Sequence, residues 1–329
     1  MKKIFVMAAM VLGVSAAYAG DSEPLKAITK SKTYAEAEAL LNSTLDQLAS
    51  PQEKAKAYNK LYELSMKDFE TVSAVIAENQ RAAVMKTEQQ AYDTAAYYNS
   101  AYNAVKAAVE CDKYDGQPDA KGKTKIAYRK DETRLQKLTQ ARLELVNGGQ
   151  WIDGKNDEAG LLKYWGLFLE SRNTPLFESL PKEPFLGQVA FYAGAYAERA
   201  NKLDKANQYF DIAMQDPEWA EKAENAKFEV AGKNLKTEAD TLRYIGQLKD
   251  LYTQKNSEAA FSVLCKLYSS SNKTAELNAL VEDMLKKNPT NFLALAYHTQ
   301  SIADAVSRQE ENQNWDPAIE AYKKLLDAS

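Results

Sequence analysis

Residues 257–289 read SEAAFSVLCKLYSSSNKTAELNALVEDMLKKNP. Phe261, Leu264, Cys265 and Tyr268 recur at i, i+3, i+4 and i+7, which is one face of an α-helix. Leu277, Leu280, Val281, Met284 and Leu285 repeat the pattern in a second helix. Asn272-Lys273-Thr274 is the polar turn between them, and Asn272 can take the left-handed conformation that ends a helix. Asn288-Pro289 stops the second helix, because the residue before proline is pushed out of the helical region. One such hairpin cannot bury its own apolar face, so neighbours of the same kind are required.

The same spacing resembles the tetratricopeptide repeat. That motif runs from a large apolar residue through Leu-Gly and Tyr to a small residue, an aromatic four positions later, and a closing Pro. Here Phe261, Leu264-Cys265, Tyr268, Leu277, Val281 and Pro289 stand at those places, with Cys265 for Gly and Leu277 and Val281 for Ala and Phe. Two further stretches fit. One is Gly148-x2-Trp151 with Asp157-x2-Gly160-x3-Tyr164-x2-Leu167. The other is Ala190-x2-Ala193-Gly194-x2-Ala197 with Leu203-x2-Ala206-x3-Phe210-x2-Ala213, closing at Pro217. A last hairpin places Phe292, Leu295, Ala296, Thr299 and Ile302 on one helix and Ala318, Tyr322 and Leu325 on the next, with the polar insertion 307–314 between them. The signature is faint at 33–69 and 221–256 and absent from 71–125. The resemblance implies an all-α, right-handed α-solenoid of helical hairpins over 126–329. Residues 20–125 would form a non-consensus, long-helix N-terminal part.

Composition agrees with helix: 13 Gly and 9 Pro in 329 residues are few interruptions. Residues 1–19 read as a cleavable export signal. Lys2-Lys3 is the basic start, 4–14 the apolar core, and Ala17-Tyr18-Ala19 the small-x-small cleavage site. No cysteine follows that site, so a lipoprotein is not expected, and the apolar run is too short to span a membrane. The expected location is the periplasm of a Gram-negative cell or the exterior. Without Lys2 and Lys3 the chain holds 40 basic against 46 acidic residues, a formal charge of −6. That argues against nucleic acid as a partner. Two cysteines, Cys111 and Cys265, could pair after export, but Cys265 at a small repeat position reads better as a small buried hydrophobe.

Upstream, Thr33 with Glu36 suggests a capped helix over 33–48, and Ser50-Pro51 starts another that runs to about Phe69. Residues 71–109 contain no Gly or Pro, with Asn79 or Thr87 as places for a break. Tyr92, Tyr97, Tyr98 and Tyr102 there either pack on neighbouring alanines or form a sugar- or peptide-binding surface, packing being the default. Residues 111–125 interrupt the pattern. Asp112, Asp115 and Asp119 lack the ladder and terminal Glu of an EF-hand, so a solvated loop is the expectation. Proline-rich 171–185 is a connector.

No catalytic constellation assembles. His298 is the only histidine, and no nucleophile elbow, zinc-protease or P-loop motif is present. Gly148-Gly149 is read as part of a turn between helices, and acids such as Glu221, Glu224, Glu282 and Asp283 as solvated. No cofactor or metal site is expected, and the chain is read as non-enzymatic. Binding of a protein or peptide remains. In tetratricopeptide proteins the first helix of each hairpin lines a concave groove, and its ligand-facing offsets fall here on Gln188, Phe191, Ala195, Glu198 and Arg199. In the 257–289 repeat they fall on Ala259, Ser262, Lys266, Ser269 and Ser270. The carboxylate-clamp version uses Lys/Arg and Asn at these places, and the 257–289 set, mostly small and hydroxylic, departs from it. The alternative reading is a glycan-binding component of a surface uptake system, with the tyrosines and Trp151 as stacking platforms.

The leader reading has a direct check. Intact-mass measurement of the exported protein should give a chain beginning at Gly20, and Ala19→Arg should block cleavage. An exported species that starts at Met1 would remove it.

Overall fold

The computed structural model describes residues 20–155, 157–233, 235, 237–309 and 313–329. Among these it is all-helical, with fourteen α-helices, one short 3-10 turn and no strand. The expected leader lies outside the described residues, as do 310–312 of the polar insertion. The chain forms two compact units, Met1–Pro181 and Lys182–Ser329, dividing inside the 171–185 connector.

The first unit holds α1 (Glu23–Lys30), α2 (Tyr34–Thr44), a 3-10 turn (Leu45–Gln47), α3 (Pro51–Met85), α4 (Thr94–Asp115), α5 (Glu132–Asp153) and α6 (Glu158–Arg172). The caps expected from sequence form. Thr33 Oγ1 accepts from Glu36 N, and Glu36 in turn accepts from Lys32 N at 3.0 Å. Ser50 Oγ accepts from Glu53 N at 3.2 Å. Glu53 does more than cap. It is buried, and its carboxylate accepts from Ser22 N, Ser22 Oγ and Ala49 N, each at 2.7 Å. That carboxylate ties the chain before α1 to the start of α3.

The helix starting at Pro51 does not stop near Phe69. It continues to Met85, about 52 Å at ~1.5 Å per residue, because nothing between them breaks a helix. The break comes at Lys86, which caps in the left-handed region at φ 57. Asn79 is no break. It stays helical and clips the returning segment, accepting from Gln90 N at 2.7 Å and donating to Gln90 O at 2.8 Å. α3 and α4 then run antiparallel with paired rings: Phe69 stacks on Tyr97 at 5.1 Å and Tyr58 on Tyr114 at 5.7 Å.

Two further expectations are corrected. Helix α4 extends through 111–115, and Asp112 and Asp115 are buried rather than solvated. Asp115 Oδ2 accepts from Ala127 N and Tyr128 N at 2.8 and 2.9 Å, and Arg129 forks onto Asp112 at 2.6 and 2.9 Å. The polar segment after α4 is thus a strap, folded back and held by two desolvated carboxylates. Gly148 and Gly149 lie within α5 and not in a turn. A Cβ on Gly149 would sit 2.1 Å from Trp165 Nε1, which donates to Val146 O at 3.0 Å. The glycine is where α6 crosses α5 closely enough to bury an indole.

The second unit holds α7 (Leu186–Arg199), α8 (Leu203–Ala213), α9 (Ala220–Lys233), α10 (Glu238–Lys255), α11 (Glu258–Ser270), α12 (Thr274–Lys287), α13 (Phe292–Ser307) and α14 (Asp316–Asp327). Helices α7 and α8 pack on each other, with Ala190, Ala193 and Ala197 of one and Ala206 and Phe210 of the other buried. Gly194 accommodates the Phe210 ring, 2.5 Å from where a Cβ would stand. Asn201, Asn256 and Asn272 all take φ between 50 and 55 and end α7, α10 and α11, as Asn272 was expected to. The 257–289 hairpin forms the core of the unit with Tyr244, Leu248 and Tyr252 from α10. Cys111 and Cys265 are both free and buried, and burial pushes each thiol up to about 12. Cys265 is thus the packing residue expected. Phe292 and Tyr322, placed on the apolar faces of the last hairpin, are instead about half exposed, because Ala294, Leu295, Thr299, Ala318 and Ala321 take the contact between α13 and α14.

Gly149→Ala should lower stability by about 1–3 kcal/mol or more, since the indole must move and lose its hydrogen bond. Thermal unfolding checks this. An unchanged melting temperature would mean that the helix crossing is not close-packed.

Candidate functional site

The residues proposed from repeat offsets sit on α7 and α11 of the second unit. Helix α9 lies between those two and packs on both. Its Lys233 pairs with Glu198 of α7 at 2.8 Å, and its Glu229 pairs with Lys266 of α11. Glu229 and Lys233 are one helical turn apart, so they project from one face of α9. Glu198–Lys233 and Glu229–Lys266 therefore form a charge ladder across three helices. Lys227 adds a pair with Asp211 of α8.

The candidates divide by exposure. Gln188, Arg199, Lys266, Ser269 and Ser270 are exposed, while Ser262, Glu198 and Ala195 are half-buried. The Arg199 guanidinium lies 4.1 Å over Tyr196. Ala259 is buried at 1 % exposure and cannot be touched from outside. Phe191 is half-buried in an aromatic cluster, with Tyr192 at 5.6 Å, Phe210 at 5.9 Å and Trp219 at 5.2 Å. Trp219 is capped by Lys222 at 4.5 Å, and Tyr192 exposes 43 % of its surface beside it. Phe191 thus acts through packing, and Tyr192 is the ring at the surface.

Sequence reasoning missed Glu229, Lys233, Tyr192 and Trp219. The first two fall where the repeat signature is degenerate. The available signal was an acid and a base at i, i+4 between a helix carrying Glu198 and one carrying Lys266. Two of the acids read as merely exposed also differ from each other. Glu282 is exposed. Asp283 accepts from Tyr252 Oη at 2.7 Å and pairs with Lys287 at 2.9 Å, and these two partners, Lys287 first, hold its carboxyl below the usual range. Where the signature fails, α9 and α10 part to leave a cleft of about 440 Å³, walled by Phe228, Tyr244 and Leu251 and crossed by Tyr244 Oη donating to Phe228 O.

Of the four clustered tyrosines of the first unit, Tyr97, Tyr98 and Tyr102 pack on neighbouring rings, while Tyr92 is exposed. Tyr97 and Tyr164 are buried, Tyr98 meets Trp151 at 5.6 Å and Tyr164 at 6.4 Å, and Tyr102 meets Tyr164 edge-on at 5.9 Å. Lys155 covers Trp151 at 3.5 Å and Lys163 covers Tyr102 at 4.4 Å. His298 is half-buried on α13. No group of three or more His, Cys, Asp or Glu with metal-binding geometry occurs among the described residues, and no described helix is long and apolar enough to cross a membrane. No protein-family model matches the chain, and no curated protein matches its sequence.

The two kinds of candidate should separate on mutation. Phe191→Ala should destabilise by about 2–3 kcal/mol, below the ~3–5 of a fully buried Phe. Lys266→Met should change stability by less than about 1 kcal/mol, the range of an exposed ion pair. Urea unfolding of both variants is the measurement, and equal losses would contradict the division.

Proposed function

We propose that this chain is an exported, non-enzymatic scaffold of right-handed tetratricopeptide-type hairpins that binds a protein or peptide along the row α7–α9–α11. The observation that carries the reading is the charge ladder. It joins the first helices of the two best-fitting repeats through the helix of the degenerate one, so that equivalent faces of three hairpins stand side by side. Rigid helices with mutually paired charges offer a preformed surface, and little conformational entropy is lost when a segment lies across them. Exposed Gln188, Arg199, Lys266 and Ser269 would supply contacts, with Tyr192 as the aromatic anchor, a residue type enriched where binding energy concentrates. The reading of export is supported by the Lys2-Lys3 start, the apolar run and the Ala17-x-Ala19 site, and its destination would be the periplasm or the exterior.

Site-specific photocrosslinking in intact cells tests the row. A crosslinker at Gln188 or Ser269 should give one discrete higher-mass band, and a crosslinker at Glu282, on the second helix of its hairpin, should not. Replacing Tyr192 and Arg199 together should weaken the band at Ser269 by at least about tenfold, equivalent to ~1.4 kcal/mol. Equal crosslinking at Glu282, or a band indifferent to the double replacement, would overturn the assignment.

A further inference from the structure

The first unit contains a second feature, independent of the row. Arg134 stands in the first turn of α5 and is 6 % exposed. Its guanidinium is held between two rings, 4.2 Å from the centre of Tyr62 on α3 and 5.1 Å from that of Tyr128 on the strap. Tyr128 is in place because Asp115 holds its backbone N–H. Among the described residues no carboxylate pairs with this cation. Nη1 donates to the neutral amide oxygen of Asn59, and the enclosed Nε meets no oxygen or nitrogen acceptor. The guanidinium also neighbours the buried Cys111 thiol, at best a weak acceptor. An arginine stays charged at any ordinary pH, and a buried charge without a partner is expensive to keep.

Arg134 lines an open cleft of about 270 Å³, just under the ~300 Å³ at which pockets for drug-sized ligands begin. The other cation on its wall, Lys137, is already paired with Glu70 at 2.6 Å. Two carboxylates also face the cleft. Glu63 accepts from Asn59 Nδ2 at 2.7 Å through one oxygen, and Asp131 caps α5 by accepting from Arg134 N at 3.0 Å through one oxygen. Each keeps a second oxygen. The cleft therefore offers an unpaired buried cation and two carboxylate oxygens within a space for one small molecule.

We propose that this cleft binds a free α-amino acid, its carboxylate on Arg134 and its ammonium on Glu63 and Asp131. A phosphate would meet two like charges, and a simple carboxylate would leave both acids unused. Only a small zwitterion satisfies the two signs together. The guanidinium, packed against Tyr62 and Tyr128, is restrained before any ligand arrives.

The test uses the full mature chain with the twenty proteinogenic amino acids, acetate, methylamine and inorganic phosphate as probes. One or a few amino acids should raise the melting temperature with increasing concentration and titrate in calorimetry. Acetate, methylamine and phosphate should do neither. Asn59→Asp places a carboxylate of the protein on the guanidinium and should abolish the shift in a folded protein. Glu63→Gln, at an exposed position, should weaken binding at least about tenfold. Failure of every amino acid to bind, acetate or phosphate binding as well as any amino acid, or an Asn59→Asp protein that binds as the wild type does would each overturn the proposal. Because all arms read the first unit, their failure would leave the α7–α9–α11 reading standing.

Discussion

Close approach of helix axes is the constraint on which both units depend. A helix with one apolar stripe stays in water-exposed equilibrium with the coil unless another helix covers that stripe. Here the covering is done by setting large rings on one helix into places kept small on the next. Gly149 receives the Trp165 indole and Gly194 receives the Phe210 ring, while the small alanines of α7 and α8 are buried where these helices pack. Each such contact removes a large apolar side chain from water, worth about 1.5–3 kcal/mol apiece. Each also sets the distance at which the rest of the pair must meet.

Polar groups then decide the details that apolar packing leaves free. Glu53 collects three donors and thereby fixes where α1 meets α3. Asp112 and Asp115 turn a segment of low hydrophobicity into a strap, and the strap carries Tyr128 to Arg134. In the second unit, Glu229 and Lys233 link α9 to its neighbours on both sides. Exposed pairs of this kind add little to stability. Their effect is register: they favour one alignment of three helices over others that bury the same area.

Much of the helical pattern was legible beforehand. The hairpins 186–213 and 258–287, the left-handed Asn272 and the caps at Thr33 and Ser50 all follow from local rules of spacing and hydrogen bonding. The misreadings share a cause. Gly148-Gly149 looked like a turn because glycine usually marks one, yet a neighbouring indole needed the room. Asp112 and Asp115 looked solvated because acids usually are, yet donors more than ten residues away satisfy them, the Arg129 guanidinium for Asp112 and backbone N–H groups for Asp115. Phe292 and Tyr322 matched an apolar period, but smaller residues on the same helices make the contact. At the candidate row, Lys266 and Glu198 could be named from offsets, whereas the α9 residues that pair with them could not.

By itself, the sequence determined that this chain is helical, where the helices of the best-fitting hairpins begin and end, and where several apolar faces lie. Those properties depend on residues within four or five positions of each other. Only the tertiary structure decided which helices pair, that α9 bridges α7 and α11, and that Arg134 is enclosed without a counter-ion. These depend on side chains tens of residues apart whose energies appear only when water is excluded between them.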